Sequence, residues 1–119
     1  MSTALGAITA FFVLNGIFLL VSCVASSALP QPLSKQEELK YFYLFKQGNE
    51  EAFSILMERN LAIVDSVIKK FAAYNFDEDD LITVGTIGLI KAIQTYDINE
   101  LPFNIYASDC IEKELKKKL

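Results

Sequence analysis

No charged side chain precedes Lys35, and all 11 Lys and Arg residues and all 15 Asp and Glu residues of this 119-residue chain follow from there. The asymmetry divides the molecule before any motif is considered. An uncharged, oily stretch does not dissolve as a surface layer, so it is either taken up by a bilayer or removed. Only the remainder, about 85 residues, mixes polar and apolar positions in the proportion that closes a small core. The net charge of −4 gives that body no general attraction to nucleic acid. The chain contains no His, which removes Ser-His and Cys-His catalysis and the usual zinc sites. Its two cysteines, Cys23 and Cys110, lie too far apart to read as a disulfide framework and suit a reducing compartment. Neither catalysis nor a cofactor is expected.

The stretch from Ala4 to Val24 is nearly all apolar and has the length of about 20 residues that crosses a bilayer as a helix. Asn15 and Gly16 interrupt it at its middle, where a polar amide is costly and a glycine loosens the helix. Four readings follow. The stretch is a plain transmembrane anchor; or a secretory signal, with small residues from Val24 to Ala28 behind it but no basic residue ahead of it; or a lipoprotein signal, with Leu20-Val21-Ser22-Cys23 as the lipid-accepting box. The fourth is a tether cut inside the membrane. Such cleavage needs a helix that unwinds locally to expose its carbonyls, and Asn15-Gly16 and Ser22 supply weak points. The leader's residues alone leave all four open.

Pro30-Gln31-Pro32 stops any continuing helix and makes a stiff linker. Ser34-Lys35-Gln36-Glu37 is a capping-box pattern, opening a helix to about Gln47 with Leu39, Phe42, Tyr43 and Phe45 on its apolar side. Gly48-Asn49 closes that helix and caps the next. A second helix is predicted from Glu50 to about Ala73, carrying Phe53, Met57, Val64, Val67 and Phe71 at helical spacing. Asn60 falls on this stripe and is expected to make a structural hydrogen bond. The acidic run Asp77-Glu78-Asp79-Asp80 suits the positive end of a helix, so capping is expected there; it lacks the glycine turn and terminal Glu of a calcium loop. Gly85 and Gly88, three apart inside the third helix, imply a closely approaching neighbour. "DINELP" ends that helix, and a fourth is predicted from Phe103 to Leu119. The expectation is an all-α bundle of three or four helices, with no strand.

Three blocks carry a family resemblance. "DLITVGTIGLIKAIQTYD", Asp80 to Asp97, resembles region 2.2 of bacterial RNA polymerase sigma factors. "RNLAIVDSVIKKF", Arg59 to Phe71, resembles region 2.1, and "FNIYASDCIEKEL", Phe103 to Leu115, the start of region 2.3. The resemblance implies docking of region 2.2 on a coiled coil of the polymerase β′ subunit, through positions matched here by Asp80, Leu81, Ile82, Gly85, Gly88, Leu89 and Lys91. Asp80, Thr83, Thr86 and Lys91 are the expected exposed contacts, and Leu81, Ile82 and Leu89 read equally as core. Thr83 and Val84 stand where many members carry Gln and Glu. Region 2.3 implies stacking on unpaired promoter bases by Tyr96, Phe103 and Tyr106, and phosphate contacts by Lys113, Lys116, Lys117 and Lys118. Asp109, where relatives carry Arg or an aromatic, Ala62 in place of a common Arg, and the shortened "DINELPF" connection all argue against strong DNA binding.

The leader followed by "VSCVASSALPQPLS" is similar to sigma-K precursors of spore-forming Firmicutes. That similarity implies a membrane-held precursor, with residues 1–22 as pro-sequence, 23–33 as linker and 34–119 as helical domain. An intramembrane metalloprotease would cut near Ser22-Cys23, Asn15-Gly16 being the weak point of the leader helix. The body would lie at the cytoplasmic side of the membrane and become cytoplasmic after cleavage. The resemblance ends at Leu119, ahead of the parts that read promoter elements, so promoter-specific transcription is not expected of this stretch. Two other readings stay open: a sigma-like decoy or regulator that occupies polymerase without reading a promoter, and an exported lipoprotein.

Overall fold

A computed structural model describes residues 30–71, 77–99 and 101–118 of the chain. The leader, with Asn15, Gly16, Ser22 and Cys23, lies outside the described residues. Among those described, no helix is long and apolar enough to cross a membrane, and all regular structure is helical.

Helix α1, Lys35–Lys46, opens with the predicted capping box: the Glu37 amide donates to Ser34 Oγ at 3.2 Å, and the Ser34 amide to Glu37 Oε1 at 3.1 Å. The backbone bonds lower the Glu37 carboxyl below its usual range. The helix stops because Gly48 takes a left-handed φ of 93° that side chains resist, turning the Asn49 amide back to the Leu44 carbonyl at 3.1 Å. Asn49 then caps α2, Glu50–Arg59, through the Ala52 amide at 3.0 Å.

The single helix predicted from Glu50 to about Ala73 is in fact two. Asn60 leaves helical geometry, with φ −113° and ψ 9°, and α3 restarts at Leu61–Lys70. Its backbone amide turns to the Met57 carbonyl at 3.3 Å, while its side-chain amide donates to the Leu56 carbonyl at 2.7 Å. The side chain thus satisfies the acceptor that its own backbone amide abandons. The expected structural hydrogen bond is present, and it marks a break rather than a packed turn. Residues 72–76 lie outside the described residues. Helix α4, Glu78–Thr95, is capped by Asp77, whose carboxylate accepts from the Asp79 amide at 3.2 Å. Helix α5, Phe103–Lys118, completes the fold. The described residues therefore form five helices, against three or four expected.

α4 and α5 run antiparallel, and α3 packs across both. A Cβ built on Gly88 would lie 2.7 Å from the Ile111 Cα and 3.3 Å from the Cys110 carbonyl oxygen, so here backbone meets backbone. At Gly85 the nearest atom is Val64 Cγ1 at 3.0 Å, a side chain of α3. These are the close approaches that the two glycines imply. Around them Leu56, Leu61, Val64, Ile82, Leu89, Ile93, Ile111 and Leu115 are buried. α1 is fastened at one end by a triad of rings, Phe42, Tyr96 and Phe103, with centroids 4.9 to 5.0 Å apart. Replacing Gly88 by Ala is expected to destabilise the fold by about 1–3 kcal/mol, despite the better helix propensity of Ala. Urea unfolding would measure it; a Gly88→Ala variant as stable as the parent would contradict the backbone contact.

Candidate functional site

One stripe of α4 is left uncovered by the bundle. Asp80, Thr83, Val84, Ile87, Lys91 and Thr95 recur every three or four residues, hence on one helical face, and each is exposed or half-buried. At the middle of the stripe stands Ile87, 38% exposed. Its acidic end is Glu78-Asp79-Asp80, and toward the other end lies Lys91. Thr83 Oγ1 donates to the Asp79 carbonyl at 2.9 Å. Thr95 Oγ1 and the Tyr106 hydroxyl share a hydrogen bond of 2.6 Å that ties α4 to α5.

Of the residues expected to dock a partner, Asp80, Thr83 and Lys91 lie on this stripe, whereas Leu81, Ile82 and Leu89 point into the core. Thr86 is a correction. It is fully buried, not exposed, and its hydroxyl donates to the Ile82 carbonyl at 2.7 Å. That bond within the helix satisfies the one polar group of a side chain otherwise suited to burial. Ile87 was missed. Its signal is its phase: it stands on the side away from Ile82, Leu89 and Ile93, so an apolar residue there has no core to enter.

Lys91 does not stand free. Its ammonium lies 2.6 Å from Glu114 Oε1 on α5, and Lys117 reaches the same oxygen at 3.3 Å. The hydrogen bond from Lys91, and then that from Lys117, holds the Glu114 carboxyl below its usual range.

The aromatic residues expected to stack on bases are placed otherwise. Tyr96 and Phe103 are buried, each packed against the other and against Phe42, and the Tyr96 hydroxyl donates to the Leu101 carbonyl at 2.7 Å. Burial pushes that phenol up. Their faces are core contacts, not an open platform. Tyr106 is half-buried against Tyr96. Tyr96 and Phe103 do reach the wall of a groove of about 580 Å³, between the start of α1, the α2–α3 break and the α4–α5 connection. Leu39 and Leu101 form its apolar rim, and Lys35 and Arg59 bring positive charge. Arg59 also donates to the Gln31 carbonyl at 3.1 Å, seating the linker beside the groove. At the basic end, Lys113 pairs with Asp109 at 2.9 Å and Lys117 with Glu114, while Lys116 is exposed.

Proteins similar to this chain are RNA polymerase sigma factors. Over 105 residues, 87% of the chain, it is 43% identical to the RNA polymerase sigma-28 factor of Bacillus thuringiensis subsp. kurstaki, covering 44% of that protein. It is 45% identical, again over 87% of the chain, to the RNA polymerase sigma-K factor of Bacillus subtilis, of which it covers 36%. With the RNA polymerase sigma-E factor of Clostridium acetobutylicum it shares 45% identity over 76% of the chain and 39% of that factor. The chain thus spans less than half the length of these relatives. No family model matches it. The expectation of a chain without catalysis of its own agrees with the relatives' names.

The Lys91–Glu114 contact carries a pH dependence whose sign is set by the lowered carboxyl. A depressed folded pKa adds stability above the ordinary value of 4.5, and that stability is lost as pH falls through the folded value. Thermal melts of the parent and of Glu114→Gln should differ at neutral pH and converge in acid. A gap that persists in acid would show that the charge is not its source.

Proposed function

We propose that the chain is the membrane-tethered precursor of the amino-terminal portion of a sporulation sigma factor, and that its helical body docks on core RNA polymerase through the outward stripe of α4. The observation that carries this reading is the uncovered Ile87 between Asp80 and Lys91, on a helix whose counterparts belong to proteins named as polymerase factors. An apolar centre with a polar rim is the composition of a protein–protein contact rather than of an idle surface. In this reading the β′ coiled coil is the partner. Promoter DNA is a minor one, because Tyr96 and Phe103 are enclosed and Asp109 places a carboxylate where phosphate would approach.

The leader holds the precursor at the cytoplasmic face of the membrane until an intramembrane metalloprotease cuts near Ser22-Cys23 and releases the body into the cytoplasm. The similarity of the leader to sigma-K precursors supports this half of the proposal, and the nearly all-apolar stretch from Ala4 to Val24 has the required length and composition.

Each half has its own test. With the full chain in non-ionic detergent, Ile87→Asp should weaken binding to core polymerase about tenfold or more, the size of effect a central contact residue shows. The matched variant Tyr43→Ser, on an exposed position of α1, should bind as the parent does. Unchanged affinity in Ile87→Asp would reject the α4 face. For the leader, a tagged chain should fractionate with membranes alone and turn shorter and soluble when the cognate protease is co-expressed. A chain that stays full length beside active protease, or a Cys23 that takes up labelled lipid, would reject the tether.

A further inference from the structure

Besides Ile87, the large apolar side chains most open to solvent include Leu39, Tyr43 and Leu101, at 44%, 62% and 52% exposure. Leu39 and Tyr43 stand one turn apart on α1, and Lys35 and Lys46 continue the same stripe at either end. Both lysines are exposed. Glu37 falls on the opposite side of the helix, where its carboxylate serves the capping box. Leu39 and Leu101 also form the rim of the groove, whose charged lining residues are Lys35, Arg59 and a half-buried Glu38. This side of the body thus sets apolar side chains among three cations and one carboxylate. The linker meets the body here as well. Arg59 holds the Gln31 carbonyl at 3.1 Å, Pro32 and Leu33 line the groove, and Leu33 packs against the core.

We propose that this side of the body, from the Lys35–Lys46 stripe of α1 to Leu101, lies on the anionic surface of the bilayer that holds the leader. The inference rests on the tether reading above. Leu39, Tyr43 and Leu101 enter the headgroup layer while Lys35 and Lys46 meet lipid phosphates, the arrangement of an interfacial amphipathic helix. The position of the linker selects a bilayer as the occupant. Val24, the last residue of the apolar stretch, precedes Gln31 by seven residues, a reach of at most about 25 Å when fully extended. The body measures 27 Å along its shortest axis, so a tether seated at the groove does not carry the far side to the membrane. It holds the groove side there at high effective concentration, and a weak surface contact then suffices.

The chain contains no Trp, so a single introduced tryptophan reports its own surroundings. Tyr43→Trp and Lys116→Trp, as full chains, are reconstituted in vesicles of phosphatidylcholine and phosphatidylglycerol, with and without bromine on the acyl chains. Lys116 is exposed and lies 13 residues beyond Phe103 on α5, about 20 Å along the helix. Bromine should quench Tyr43→Trp, with the indole about 5–10 Å into the boundary of headgroups and acyl chains, and leave Lys116→Trp bright. Adding Lys35→Gln and Lys46→Gln to Tyr43→Trp should lower the ratio of docked to undocked chains about tenfold or more, as two surface lysines require. Flotation with the vesicles separates the two readings. A chain that does not float rejects the tether and this inference together. A chain that floats with Tyr43→Trp no more quenched than Lys116→Trp overturns the inference alone. Blue-shifted emission from Tyr43→Trp without bromine quenching would assign the face to a second copy, and also overturn it. Should circular dichroism show Tyr43→Trp unfolded, Leu39→Trp takes its place with the same expectations.

Discussion

The structure depends on one close approach, the α4 backbone at Gly88 against the α5 backbone at Ile111. There is no space for a methyl group between them. Leu89 and Ile93 are buried beside that contact, and Gly85 admits Val64 from α3. With three helices drawn together on one face of α4, the opposite face is left without cover. The stripe through Ile87 is therefore a consequence of the glycine contact, and so is the seam that brings Lys91 to Glu114.

A second constraint sits at the other end of the bundle. Phe42, Tyr96 and Phe103 join α1 to the α4–α5 connection, and the break at Asn60 turns α3 away from α2. Between these two features lies the groove that receives the linker through Arg59. The same rings cannot both fill this junction and present open faces to a ligand. Enclosing them lends the junction rigidity at the expense of a stacking platform.

Much of the fold was legible because local chemistry has local consequences. The Ser34–Glu37 box, the Gly48-Asn49 turn and the Asp77 cap each act within five residues, and each is found where its pattern stands. The helix break was less legible. Asn60 continues the apolar stripe in phase, so periodicity does not show that its side chain, rather than its backbone amide, takes the Leu56 carbonyl. The candidate site divides in the same way. Asp80, Thr83 and Lys91 are polar residues on an exposed phase. Thr86 is polar too, but sits on the buried phase, and its composition gave no hint that an internal carbonyl would satisfy it. Ile87 is the converse, an apolar residue that hydropathy assigns to the core and geometry leaves outside.

The amino-acid sequence by itself determined the division into an uncharged leader and a charged helical body, the ends of most helices, and the need for a helix to approach Gly85 and Gly88. These follow from solvation, backbone conformation and steric volume, which belong to each residue and its near neighbours. Only the tertiary structure decided which face of α4 remains open, which aromatic rings are enclosed, and which carboxylate holds Lys91. Those outcomes depend on which surfaces meet across the bundle, because periodicity sets the phase of a helix but not the partner that covers it.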